Sequence, residues 1–83
     1  MASPKINVVI SREVDAQGQM CPMPIVMVAK AIKDLALGQT LVLYATDQGA
    51  RRDVPAWANR TGNTILDMTE ENGVLAFYIE RTA

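Results

Sequence analysis

The sequence has 83 residues with eight Lys and Arg against nine Asp and Glu, a net charge of −1. It is one domain near the lower size limit for unaided folding, with no global field to draw nucleic acid or an anionic membrane. Hydrophobic residues make up 49% and charged residues 20%, which excludes disorder, and one Trp, two Tyr and one Phe are too few for a base-stacking sheet.

Histidine is absent and there is one cysteine, Cys21. These counts remove the Cys-His nucleophile, the commonest zinc ligand and the CxxC dithiol together, so no metal and no cofactor is expected. No apolar run reaches the roughly 18 to 20 residues that span a bilayer, and the opening through Lys5 lacks the apolar core of a signal peptide. A lone cysteine fits a reducing compartment, so a cytoplasmic, monomeric protein with a free thiol and no membrane contact is expected.

The first element is a strand from Val8 to about Ala16: Val8, Ile10 and Val14 alternate with Val9, Ser11, Glu13 and Asp15, and Arg12 interrupts the apolar side. After Gly18, the spacing of Ile25, Val28, Ala29, Ile32 and Leu35 predicts a helix from Pro22 to about Leu35. Pro22 and Pro24 fall in its first turn, where amides have no internal partner, and Gly38 follows its end. Thr40 to Thr46 is a continuous apolar run, read as a central strand. From Ala50 to Thr61, Val54, Trp57, Ala58 and Thr61 share one side of a second helix ended by Gly62; Asp47 or Asp53 is its N-terminal acceptor, and Pro55 is tolerable only near the first turn. Thr64–Glu71 and Val74–Arg81 form a hairpin through Asn72-Gly73, where both positions tolerate positive φ.

The resulting order, β-α-β-α-β-β, predicts an α+β fold: a two-layer α/β sandwich with a mixed four-stranded sheet and both helices on one face. Leu75, Phe77 and Ile79 point to the helices, while Tyr78 and Glu80 make the other face more polar. Residues 1–83 are read as one domain, with disorder expected over residues 1–7.

Gly18-Gln19-Met20-Cys21-Pro22-Met23-Pro24 delivers a thiol to a strand-to-helix loop, beside unpaired amides and the positive end of a helix dipole. This predicts a moderately depressed thiol pKa, moderate because two prolines supply no amides. The prolines also fix the backbone, so that Cys21 is presented ready to react. A buried, inert cysteine is the commoner state of a free thiol, and its position outside the apolar periodicity argues against that. Met20 and Met23 bracket the thiol and read equally well as an adaptable docking patch or as packing.

Val14-Asp15-Ala16 through Gly18, then Cys21-Pro22-Met23-Pro24, Lys30, Gly38-Gln39-Thr40-Leu41, Ala45-Thr46-Asp47, Arg52-Asp53-Val54-Pro55 and Trp57 together resemble the TusA/SirA-like (YedF-like) sulfur carrier family over nearly the whole chain from Val14. Gln19 and Met20 depart from it, since members often carry Leu and a charged residue there. The resemblance implies a βαβαββ sandwich. It also implies that Cys21 accepts sulfane sulfur as a persulfide from a protein donor, a cysteine desulfurase or a rhodanese-like protein. A protein acceptor then receives the sulfur in tRNA thiolation, molybdenum cofactor assembly or sulfur oxidation, which makes the protein a sulfurtransferase-type carrier.

Two other readings remain beside it: a non-catalytic regulatory or binding module on the same fold, and a redox sensor, which the absence of a resolving cysteine disfavours. Arg51 and Arg52, with Lys30 and Arg60, form either a basic rim that meets an acidic partner or a persulfide anion, or a solvated face. Asp47 and Asp53 are better caps than an acid-base pair, Trp57 is core, and Gly49 lacks the glycine spacing of a phosphate cradle.

Overall fold

The computed structural model describes residues 8–83, and the disorder expected over residues 1–7 lies outside them. Its elements are β1 (Ile10–Ala16), α1 (Met23–Ile32), β2 (Thr40–Ala45), α2 (Ala50–Thr61), β3 (Thr64–Glu71) and β4 (Val74–Glu80), the order the sequence predicts. The strands form one sheet in the order β1-β2-β4-β3. β1 pairs parallel with β2, and β4 runs antiparallel to both its neighbours. β1, β2 and β3 therefore run the same way, and α1 and α2 both start beyond the sheet edge where β1 and β2 end.

Both helices cover one face, as expected. The core joins Val28, Ala31 and Ile32 of α1 and Val54, Trp57 and Ala58 of α2 to Val14, Ala16, Leu41, Leu43, Ala45, Leu75, Phe77 and Ile79 of the sheet. Leu41, Leu43, Leu75, Phe77 and Ile79 are fully buried, and burying side chains of this kind stabilises the fold by about 1.5–3 kcal/mol each. Asn72 and Gly73 turn the hairpin with φ of 53° and 80°, the two positive values a type I′ turn requires. α2 closes at Gly62, also left-handed, with the Asn63 N–H reaching the Ala58 carbonyl at 2.9 Å.

Four details differ from the sequence reading. The first strand does not keep one alternation, because the pairing with β2 slips between Ile10 and Arg12. This bulge puts Ile10 on the face away from the helices while Val14 packs beneath them. Second, α1 ends at Ile32, and the chain to Leu35 continues in tighter bonds from Lys33, Asp34 and Leu35 to the carbonyls three residues back. Third, Pro55 lies in the second turn of α2, where it removes the amide that would bond the Arg51 carbonyl on the exposed side.

Fourth, the face opposite the helices is apolar at its centre rather than polar. Val42, Ala76 and Tyr78 are buried there, with Ile10, Tyr44 and Leu66 packed against them. The cross-strand pairs Val42–Tyr78 and Tyr44–Ala76 each set a large side chain beside a smaller one on this face.

Candidate functional site

The parallel register that places Ala16 opposite Ala45 makes neighbours of whatever follows each strand. After β1 the chain turns through Gly18, at φ 79°, a backbone state that favours glycine. The Gly18 N–H donates to Thr46 Oγ1 at 2.8 Å, and the Cys21 N–H donates to Asp47 Oδ2 at 2.9 Å. Thr46 and Asp47, immediately after β2, thus pin both ends of the cysteine loop. Asp47 is itself oriented by the Gly49 N–H, which donates to its Oδ1 at 3.2 Å.

Cys21 is exposed, two residues before α1. Pro22 is the N-cap residue of that helix, joined to Cys21 by a cis peptide bond, and Pro24 is buried in its first turn. From α2, Asp53 reaches across so that its Oδ2 lies 3.6 Å from Cys21 Sγ, which donates to it. Pro24, Ile25 and Ala50 wall the shallow cleft that holds the thiol and both carboxylates.

The electrostatics reverse the expected sign. The Cys21 thiol is pushed above its ordinary pKa, first by partial desolvation in this cleft, then by its hydrogen bond to Asp53 and the charges of Asp53 and Asp47. Among the described residues, Arg52 pulls the other way. The dipole of α1 is a weak opponent: Pro22 and Pro24 carry no amide hydrogen, and the Met23 N–H bonds the Met20 carbonyl at 2.8 Å.

Of the N-terminal acceptors expected for α2, Asp47 accepts from the N–H of Gly49, the N-cap residue, while neither acid makes a side-chain cap bond from the N-cap position itself. Asp53 occupies the first turn, where the dipole favours a carboxylate, and both acids also reach the cysteine loop, Asp47 at the Cys21 N–H and Asp53 at its sulfur. Thr46, Asp47 and Asp53 are the site residues that sequence reasoning missed. The signal that finds them is topological: the loops after two neighbouring parallel strands open at one sheet edge.

The basic residues do not converge. Arg51 is bound to Glu70 and, at 2.8 Å, to Gln48, while Lys30 and Arg60 lie in the last turns of their helices. Among the described residues Arg52 alone stands by the site, its Nε 3.7 Å from Asp53 Oδ1. Met20, Met23 and Val26 are exposed and give the loop and the first turn of α1 an apolar outer surface. Among the described residues no group of three or more His, Cys, Asp or Glu is placed to hold a metal ion. No described helix is long and apolar enough to cross a membrane.

Fold and site together define a small α+β domain that offers one exposed thiol from the loop ahead of its first helix. The family model described as Sulfurtransferase TusA matches residues 12–81, and the chain belongs to that family. YrkI of Bacillus subtilis (strain 168) is 45% identical over 67 residues, covering 81% of this chain and 89% of its own. The sulfur carrier protein TusA of Allochromatium vinosum is 38% identical over 71 residues, covering 86% and 93%. The crystal structure of the SirA-like protein from Desulfitobacterium hafniense superposes with a TM-score of 0.76 at 24% identity, over 87% of this chain and 99% of that one. The fold is thus shared, and the family resemblance read from the sequence is borne out.

Proposed function

We propose that this protein is a sulfur carrier in which Cys21 accepts sulfane sulfur as a persulfide and passes it to a second protein. The observation that carries the reading is the exposed thiol at 3.6 Å from a proton acceptor, Asp53, in a chain similar over most of its length to proteins named as sulfur carriers. In loading, Cys21 Sγ attacks the outer sulfur of a donor persulfide. The Sγ–S bond forms, the donor's S–S bond breaks, and the electron pair leaves with the donor as a thiolate. The transferred sulfur keeps its oxidation state, so the exchange consumes no oxidant or reductant.

The donor in this reading is a cysteine desulfurase or a rhodanese-like protein. The acceptor is a protein serving tRNA thiolation, molybdenum cofactor assembly or sulfur oxidation, and the carrier works in the cytoplasm as a monomer. Met20, Met23 and Val26, exposed around the thiol, supply the apolar surface on which such partners would seat.

Incubation with cysteine and a desulfurase tests the reading. Intact mass gains one sulfur atom, reductant removes it, and Cys21→Ser gains none. A wild-type protein that gains no sulfur from the desulfurase or from a small persulfide overturns carriage.

A further inference from the structure

The free thiol of a carrier has to choose among many sulfur-bearing species, and its surroundings are one-sided in charge. The loop residues Gln17 to Met20 and the helix residues through Ala29 contain no titratable side chain. Among the described residues, the charged groups that face Cys21 therefore come from the loop after β2 and the first turn of α2: Asp47, Asp53 and Arg52. The two acids converge. A Cβ added at Gly49 would lie 3.6 Å from each Asp47 carboxylate oxygen and 3.7 Å from Asp53 Oδ2. Asp47 holds the Cys21 backbone and Asp53 the sulfur, while Arg52, its side chain 89% exposed, is a weakly screened counterweight in open water.

Resting on the carrier reading, we propose that Asp53 is a specificity-determining residue for sulfur transfer at Cys21. Its carboxylate takes the thiol proton during attack and, with Asp47 behind it, turns away donors whose sulfur arrives within an anion, such as thiosulfate or polysulfide. A protein persulfide is admitted in its protonated form, RSSH, neutral at the point of contact, as are cationic donors. During loading the Sγ proton passes to Asp53 and then through water to the leaving thiolate of the donor, which restores the carboxylate. An anionic donor adds a further negative charge within a few ångströms of two carboxylates, where like-charge repulsion is strong. The elevation of the thiol pKa, caused first by desolvation and then by the same two acids, agrees with this geometry.

The test uses two methanethiosulfonates, one bearing a trimethylammonium group and one a sulfonate. Each reacts with Cys21 by forming a mixed disulfide and releasing methanesulfinate. The ratio of cationic to anionic rates should exceed that of N-acetylcysteine amide, a neutral thiol, by about tenfold at low salt. Asp53→Asn should cut that excess by about threefold or more and move the pH midpoint of alkylation down, and Asp53→Glu should restore both. A wild-type ratio equal to that of the free thiol overturns the proposal. So does an Asp53→Asn protein that is folded by circular dichroism yet keeps the wild-type ratio and midpoint. Sulfur gain by intact mass is scored on the same proteins: a charge ratio without sulfur gain overturns the carrier reading, and sulfur gain without a charge ratio overturns the role of Asp53.

Discussion

α1 and α2 lie in one layer, follow parallel strands and start at the same sheet edge, yet their first turns are built in opposite ways. α1 opens on Pro22 and Pro24 with no acidic residue, and α2 opens on Gly49 with Asp53 in its first turn. The first start is stiff and supplies few amide hydrogens; the second is a favourable place for a carboxylate. The difference teaches that the state of Cys21 is set less by the helix it precedes than by the neighbouring one. A helix N-terminus lowers a thiol pKa only when its amides point free toward the sulfur, and here the adjacent helix brings a carboxylate to 3.6 Å from it.

If α2 sets the chemistry of a thiol that belongs to α1, loosening α2 should act at a distance. The largest effect is expected of Trp57→Ala, which empties a buried position on the core side of α2 and should lower unfolding free energy by about 3–5 kcal/mol. Urea denaturation measures that loss. In the variant that remains folded at low denaturant, the alkylation midpoint of Cys21 should also fall as Asp53 loses its fixed place.

A smaller effect sharpens the comparison from the side of the cysteine loop. Thr46→Val removes the acceptor of the Gly18 N–H and should cost about 1 kcal/mol of stability, with faster amide exchange at Gly18 as its local signature in NMR.

The smallest concerns pH. The folded state holds the Cys21 thiol above its ordinary pKa, so the fold favours the neutral form. That contribution to stability is complete below the unfolded pKa and is lost as pH rises through the folded one. The unfolding midpoint of the wild type should therefore fall more between neutral and alkaline pH than that of Cys21→Ser. The serine protein also cancels the similar contribution of Tyr44, whose phenol is raised by desolvation and then by Glu13. Equal slopes for the two proteins would place the charge effect elsewhere.

The layer order was legible in the sequence because its signals are local. Glycines separate the elements, apolar spacing of two or three to four residues types them, and Asn72-Gly73 specifies a turn from its own backbone preference. Cys21 was legible too, as the one thiol set among prolines. The bulge after Ile10 was not, since a one-residue slip is decided by how β1 meets β2. The same holds for the buried centre of the far sheet face, which needs Val42 beside Tyr78 and Leu66 brought in from β3. Asp47 and Asp53 read as caps because nothing within their own segment reveals a sulfur 26 and 32 residues earlier. Only the parallel pairing of β1 with β2 connects them.

The parallel pairing also has a practical side. Gly38 and Gln39 exchange backbone bonds with Arg81 at the edge where β2 begins, while Cys21 stands past the edge where it ends. The six residues of β2 separate them by roughly 20 Å at about 3.3 Å per residue. A fluorophore, surface tether or fused domain attached after Thr82 would therefore leave the thiol end of the molecule facing free solution, a geometry suited to watching single docking events.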